Sequence, residues 1–230
     1  MKEIIIKDEL FEKFPDFKRG VLICENVNNE EDSSLIGELL AKELKAKEGF
    51  TSHENIEEWD NAHRKFGSNP NKYPPSVKSL IKRASKGKPI PFINNLVALF
   101  NYISLKYIIP CGGDDTDKIE GNLVLGFARG DEKFIPLGSD KEETPDKGEV
   151  IYYDDKTDKV MCRKWNWRNG DFSKMAKKTK RAVINIDGIG KISKDLIKET
   201  GEEMKNLLEK ECGAKVSFVI LDKDKRREKI

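Results

Sequence analysis

The chain has 230 residues, with 43 Lys and Arg against 41 Asp and Glu, a formal net charge of +2 and 37% charged residues. That length can bury a sizeable core without covalent staples. The near-balance of charge excludes a globally basic nucleic-acid binder and leaves such contact to a local patch. Cys24, Cys111, Cys162 and Cys212 form no CxxC pair, and His53 and His63 stand ten residues apart. Neither a disulfide framework nor a zinc site is signalled, so reduced, packed cysteines and no metal or cofactor are expected. The opening MKEIIIKDELFEKF is too short an apolar run for a signal peptide, and no stretch approaches the ~20 apolar residues of a membrane span. A cytosolic protein with no membrane partner is the expectation.

In chain order, EIII reads as a short strand, followed by a turn marked by Pro15 and Gly20 and a second strand over Val21 to Cys24. Leu35, Ile36, Leu39, Leu40 and Leu44 recur at helical spacing between Ser33 and Lys47, with Gly49 as the stop. IEEWDNAHRKFG repeats the pattern with Trp59, Ala62 and Phe66. A proline-stiffened approach then leads to a helix capped by Ser76, with Val77, Leu80 and Ile81 on one face and its end at Gly87. Another helix, NNLVALFNYISLKY, stops before Pro110.

Beyond Pro110 the period changes from 3.6 to 2. GNLVLGFARG, EKFIPLG, GEVIYYDD, KVMCRKWNWR and RAVINIDGI read as five strands. A helix over Lys194 to Glu211 and a strand KVSFVILD follow, and the terminal KDKRREKI reads as a frayed solvated tail. Helices first, then strands, then a helix and a strand predict an α+β fold, with helices packed on a mostly antiparallel or mixed sheet. No repeat or low-complexity linker marks a second domain, so residues 1–230 are expected to form one domain.

No phosphate loop, nucleophile elbow or zinc signature is present, and the glycines at Gly188 and Gly190 lack the required spacing. Two constellations carry chemistry instead. Asn95, Ala98 and Asn101, spaced three apart, are read as one helix face, with Leu96, Val97, Phe100 and Ile103 on the apolar side. The two asparagines can hold a ligand or simply pair with a neighbouring loop. In VMCRKWNWRNGD, alternation directs Arg163, Trp165 and Trp167 to one side and Lys164, Asn166 and Arg168 to the other. Such aromatics can stack a base, wall a pocket or fill a core. Asp114, Asp115 and Asp117 lack the calcium-loop pattern, and solvation of a loop accounts for them.

These residues resemble the tRNA-binding B-three/B-four domain, best known as the editing module of the bacterial-type phenylalanyl-tRNA synthetase β subunit. NLVALFNYISLKYIIPCGGDD is similar to that family's asparagine helix, loop proline and acidic residue. IEGNLVLGFARGDEKF is similar to its glycine-started strand, and PPSVKSLIKRA to its proline-serine helix with basic residues. The likeness covers residues 73–187, with 1–70 as a helical extension, and no synthetase class motif accompanies it. It implies an α+β fold with a pocket between the asparagine helix and the sheet. It also implies hydrolysis of the ester joining a wrong amino acid to the 3′ end of a tRNA, with tRNA as partner. Asn95 and Asn101 match the helix asparagines, Pro110 the loop proline, and Gly121 and Ala128 the strand entry. Ala98 stands where the pattern has Asp and Gly112 where it has His, and the KWNWR segment replaces a small-residue wall. A smaller or different amino acid than tyrosine is thus expected.

The expected pocket comprises Asn95, Asn101, Asp115, Trp165, Trp167 and Arg168, with no catalytic residue assigned. Lys78, Lys82, Arg83 and Lys86, on one amphipathic helix and its end, are the expected RNA-binding face. Two other readings stay open: a non-catalytic binder of tRNA or structured RNA, and a binder of a free amino acid or nucleoside.

Overall fold

The structure, a computed structural model, describes residues 2–230. In chain order the elements are β1 (Glu3–Ile6), α1 (Asp8–Lys13), β2 (Lys18–Glu25), α2 (Ser34–Ala46), α3 (Glu54–Lys65), α4 (Ser76–Ala84) and α5 (Asn95–Tyr107). Then come β3 (Cys111–Asp115), β4 (Leu123–Phe127), β5 (Val150–Asp154), β6 (Val160–Arg163), β7 (Arg168–Asn169), β8 (Ala182–Gly188), α6 (Lys194–Cys212), β9 (Lys215–Leu221) and β10 (Arg227–Lys229). They build an α+β fold with two sheets, ordered β10-β1-β4-β5-β6-β7 and β3-β8-β2-β9. Among the described strands only β1 and β4 pair in parallel, so the architecture is the mostly antiparallel one that the strand patterns predict.

Helix starts follow from local chemistry. Ser33, Asn94 and Ser193 each accept an N–H of the first turn of α2, α5 and α6, satisfying a donor that has no intrahelical partner. α5 ends at Ile108, whose φ of 55° turns the chain sharply into Pro110 and β3. α6 lies over β2, β8 and β9, where the missing side chain of Gly201 makes room for the Phe218 ring. A shared apolar core runs between the sheets, from Ile4 and Leu123 on one to Val21 and Ile184 on the other.

Four local expectations fail. The segment after β1 is the helix α1 rather than a turn, its Leu10 and Phe11 buried. EKFIPLG makes only isolated bridges, Phe134 with Glu143 and Pro136 with Gly170. The tail is not frayed: β10 pairs antiparallel with β1 through Ile4 and Glu228, and the Ile230 N–H donates to the Lys2 carbonyl. CGGDD, expected as a loop, is the edge strand β3, paired with β8 from Cys111–Ile186 to Asp115–Ala182. The start of α4 also shifts by one residue, with Pro75 at the cap position and Ser76 the first helical residue.

Candidate functional site

A cavity of about 160 Å³ opens where the two sheets meet. Its floor is β3 and β8, and Tyr152 of β5 and Cys162 of β6 reach in from the other sheet. Phe100 and Asn101 of α5 form one wall, and Trp165, Asn166 and Asn169, in and beside the turn joining β6 to β7, form another. The size is that of a void able to hold a benzene-sized guest, ~150 Å³.

The floor is acidic. Register places Gly112 opposite Asn185, so the period of two brings Gly112 and Asp114 of β3 onto one face with Asn185 and Asp187 of β8. A Cβ on Gly112 would meet nothing within 4 Å, and its absence enlarges the void. Asp187 is fully committed: Arg19 holds it through Nε at 2.7 Å and Nη2 at 3.0 Å, and the Tyr152 hydroxyl donates to it at 2.6 Å. Burial pushes the Asp187 carboxyl upward against the pull of Arg19, but the two-point pairing and the permanent charge of guanidinium keep this an ion pair. Asp114 accepts one bond, from Ser173 Oγ at 2.6 Å. Burial raises its pKa from 3.8 to about 6, opposed by Ser173 and Arg19 and reinforced by Asp115. With Asp114 and Asp187 ionised against Arg19, the floor carries net charge −1.

The opposite wall offers donors. Lys164 and Trp165 both adopt positive φ, 47° and 65°, an uncommon backbone for side chains with a Cβ and a form of strain that clusters at functional sites. The kink drives the Trp165 indole into an aromatic nest, edge-on to Phe14 at 4.8 Å, Phe17 at 5.0 Å and Trp59 at 5.2 Å. Its N–H, close to the Asp187 carboxylate, has no well-formed hydrogen bond. The Asn166 Oδ1 meets His63 Nε2 at 3.2 Å. Burial drives the His63 pKa down to about 4, so the ring is neutral near pH 7. Asn166 Nδ2 is left without a partner, as is Asn185 Oδ1 on the floor. Buried polar atoms are nearly always paired, and here three such atoms border one void. The thiols of Cys111 and Cys162 also line it, but burial raises both pKa values, so neither is a thiolate nucleophile near neutrality. Among the described residues no group of three His, Cys, Asp or Glu side chains is placed to hold a metal ion, and no helix is long and apolar enough to cross a membrane.

Of the residues expected in a pocket, Asn101 and Trp165 line this cavity and the other four do not. Asn95 is buried elsewhere, accepting from the Ser33 N–H and donating to the Glu31 carbonyl. Each step of three residues falls about 60° short of a full turn, so Asn95 and Asn101 lie about 120° apart and do not share a face. Asp115, on the opposite side of β3 from Asp114, accepts from the Thr179 hydroxyl and caps the Asp117 N–H. Trp167 and Arg168 do not continue a strand with Trp165, because the turn intervenes; Trp167 packs on Tyr73, and Arg168 is exposed beside Glu143. The expected basic face is not at the cavity either. α4 brings its Ser76 end to it, while the other end lies about 12 Å along the helix. Lys78 is held by Asp60 and Arg83 bonds the Pro89 carbonyl, whereas Lys82 and Lys86 are exposed. Sequence reading missed Asp114, Asn166, Asn185 and Asp187. RAVINIDGI did carry a signal, since Asn185 and Asp187 are polar residues at period two inside a β-branched run.

The model of the B3/4 domain matches residues 58–224. The chain belongs to the B3/4 domain family. The match extends past both ends of the 73–187 stretch that carries the motifs, and so includes most of α3 and all of β9. Among solved structures, this B3/4 protein is similar to an N-terminal fragment of the phenylalanyl-tRNA synthetase β subunit from Pyrococcus horikoshii, with a TM-score of 0.53 and 14% identity. That likeness covers 94% of this chain and 53% of the fragment, so the chain spans about half the fragment's length. At that identity the likeness is one of fold. No curated protein matches the chain.

Proposed function

We propose that this B3/4 protein hydrolyses the ester between an amino acid and the 3′ end of a tRNA, acting in trans on mischarged molecules. The observation that carries the reading is the polarity of the cavity: unpartnered donors on one wall, acceptors and net negative charge on the floor. An α-aminoacyl group has the complementary shape. Its ammonium fits Asp114 and Asn185 Oδ1, and its carbonyl oxygen fits the Trp165 and Asn166 N–H groups. Those donors then face the oxygen that gains charge as water adds to the carbonyl carbon, the place where fixed dipoles accelerate acyl transfer most. The carbon to ribose-oxygen bond breaks, a proton from the attacking water passes to the departing ribose oxygen and makes it a hydroxyl, and the free amino acid leaves. The ester is already activated, so holding it and a water in line supplies much of the rate without a dedicated nucleophile.

A benzene-sized void holds about six heavy atoms. The ammonium nitrogen, Cα, carbonyl and ester oxygen account for most of them, which supports a compact side chain such as that of alanine or serine. The likeness to a phenylalanyl-tRNA synthetase β-subunit fragment supports the tRNA theme but not this specificity. The test is release of amino acid from a panel of mischarged tRNAs. Turnover above buffer with a small residue is the expected result, and no turnover of any substrate removes the reading. RNA binding without turnover would leave a non-catalytic binder.

A further inference from the structure

β9 is the outer strand of its sheet, in the order β3-β8-β2-β9, and the register fixes which of its backbone groups face outward. The Asp187 N–H donates to the Pro110 carbonyl at 3.0 Å and the Thr116 N–H to the Arg181 carbonyl at 3.1 Å, so the odd-numbered residues of β8 turn their hydrogen-bonding groups towards β3. In an antiparallel pair such residues alternate with those that turn the other way. The even residues of β8 therefore bond the even residues of β2, and the odd residues of β2 bond Lys215, Ser217, Val219 and Leu221. Val216, Phe218 and Ile220 are left pointing their N–H and C=O groups away from the sheet. Among the described residues none of those three N–H groups has an acceptor.

Natural sheets blunt an open edge with proline, a bulge, a charge or brevity. β9 runs seven residues in unbroken register and carries neither charge nor proline from Val216 to Leu221. The other outer strands differ: the outward Cys111 and Asp115 N–H groups of β3 are taken by Ser104 and Ser173, and β7 and β10 are only two and three residues long. Beside β9 lies a groove of about 350 Å³ lined in part by Ile23, Val216, Ser217 and Ile230. We propose that β9 pairs antiparallel with β9 of a second copy of this chain, about a two-fold axis through Phe218, so that two four-stranded sheets become one. The strand is its own complement. With the axis at the middle one of the three outward residues, Phe218 bonds its counterpart and Val216 bonds Ile220 in both directions, so every outward donor and acceptor is used. The cross-strand neighbours become Val216 with Ile220, Ser217 with Val219 and Phe218 with Phe218, largely β-branched and aromatic pairs with no like charges opposed. Val219 of the second copy then lies opposite Ser217 and covers the groove. A two-fold contact uses the same patch on both copies and closes at the dimer. The pairing goes beyond the hydrolytic reading and does not depend on it, since no residue of β9 lines the cavity between the sheets.

Sedimentation velocity of the full chain from low to high micromolar concentration should show a monomer–dimer equilibrium. Ser217 is exposed, so Ser217→Lys should fold. By setting a charge at each groove it should weaken the dimer by ~10-fold or more, while Ser217→Thr should pair as wild type does. In hydrogen exchange the Phe218 and Ile220 amides should slow as concentration rises, whereas the Val219 amide, bonded to β2, should stay slow throughout. A protein that remains monomeric at high micromolar concentration overturns the proposal, as does a dimer that Ser217→Lys leaves intact. If Ser217→Lys fails to fold, wild-type Phe218 and Ile220 amides that exchange equally fast in monomer and dimer overturn it.

Discussion

Asp114→Asn tests the electrostatics of the cavity floor without relying on any substrate. Asparagine keeps the shape and can still accept the Ser173 hydroxyl, but it removes a charge that the fold holds at a cost. The Asp114 pKa rises from 3.8 to about 6, chiefly through burial. A carboxyl that binds its proton more tightly folded than unfolded loses stability as pH rises through the interval between its two pKa values, here about 4 to 6, and the whole penalty stands above it. Two units at ~1.36 kcal/mol each give about 3 kcal/mol, and discounting for water in the open cavity leaves about 2 kcal/mol at pH 7. For a chain of this length that is a rise in Tm of about 4–8 °C. Thermal unfolding of wild type and Asp114→Asn at pH 7 should show that gain, with the two curves converging by pH 4, where wild type is protonated as well. The variant should at the same time lose hydrolysis of aminoacyl esters, mainly through KM, because its floor no longer attracts an ammonium. A Tm at pH 7 no higher than wild type, or a gain that persists undiminished at pH 4, would refute the reasoning. Stability sacrificed at a binding site is the general pattern that this pair of measurements looks for.

Gly112→Ala should leave Tm within about 2 °C of wild type, since its Cβ meets nothing within 4 Å, yet reduce turnover of larger aminoacyl groups first. Gly113→Ala should instead cost about 1–3 kcal/mol by urea unfolding, because its Cβ would lie 2.5 Å from Met175 Cε and from the Val183 carbonyl. Arg19→Met leaves a buried Asp187 without its counter-ion and should lose about 3–5 kcal/mol; a loss under about 1 kcal/mol would show that the pair does not hold the floor charge. Trp165→Phe keeps most of the aromatic nest but deletes the indole donor, and should lower kcat by about 10²-fold if that N–H faces the developing oxyanion. A rise in KM with kcat unchanged would place the donor elsewhere.

Amphipathic spacing by itself located α2, α3, α5 and α6, because a helix is decided by residues within four positions of one another. Alternation and β-branching located β2, β4, β5, β8 and β9 in the same way, and the order of these elements was enough for the α+β class. Asn101 and Trp165, read from residue type as pocket candidates, do line the cavity. The partnership of Asp114 with Asn185 was not legible, because Gly and Asp rarely favour strands and β3 exists through its non-local pairing with β8. The tail becomes β10 for the same reason: β1 offers it an edge, and no local pattern reports that. Nor could period-two spacing foresee the positive-φ turn at Lys164 and Trp165, which separates two tryptophans that alternation puts together. Local sequence determined which segments were helix or strand; tertiary pairing decided which polar atoms were left without partners around one void, since only the folded contacts reveal which hydrogen bonds remain unmade.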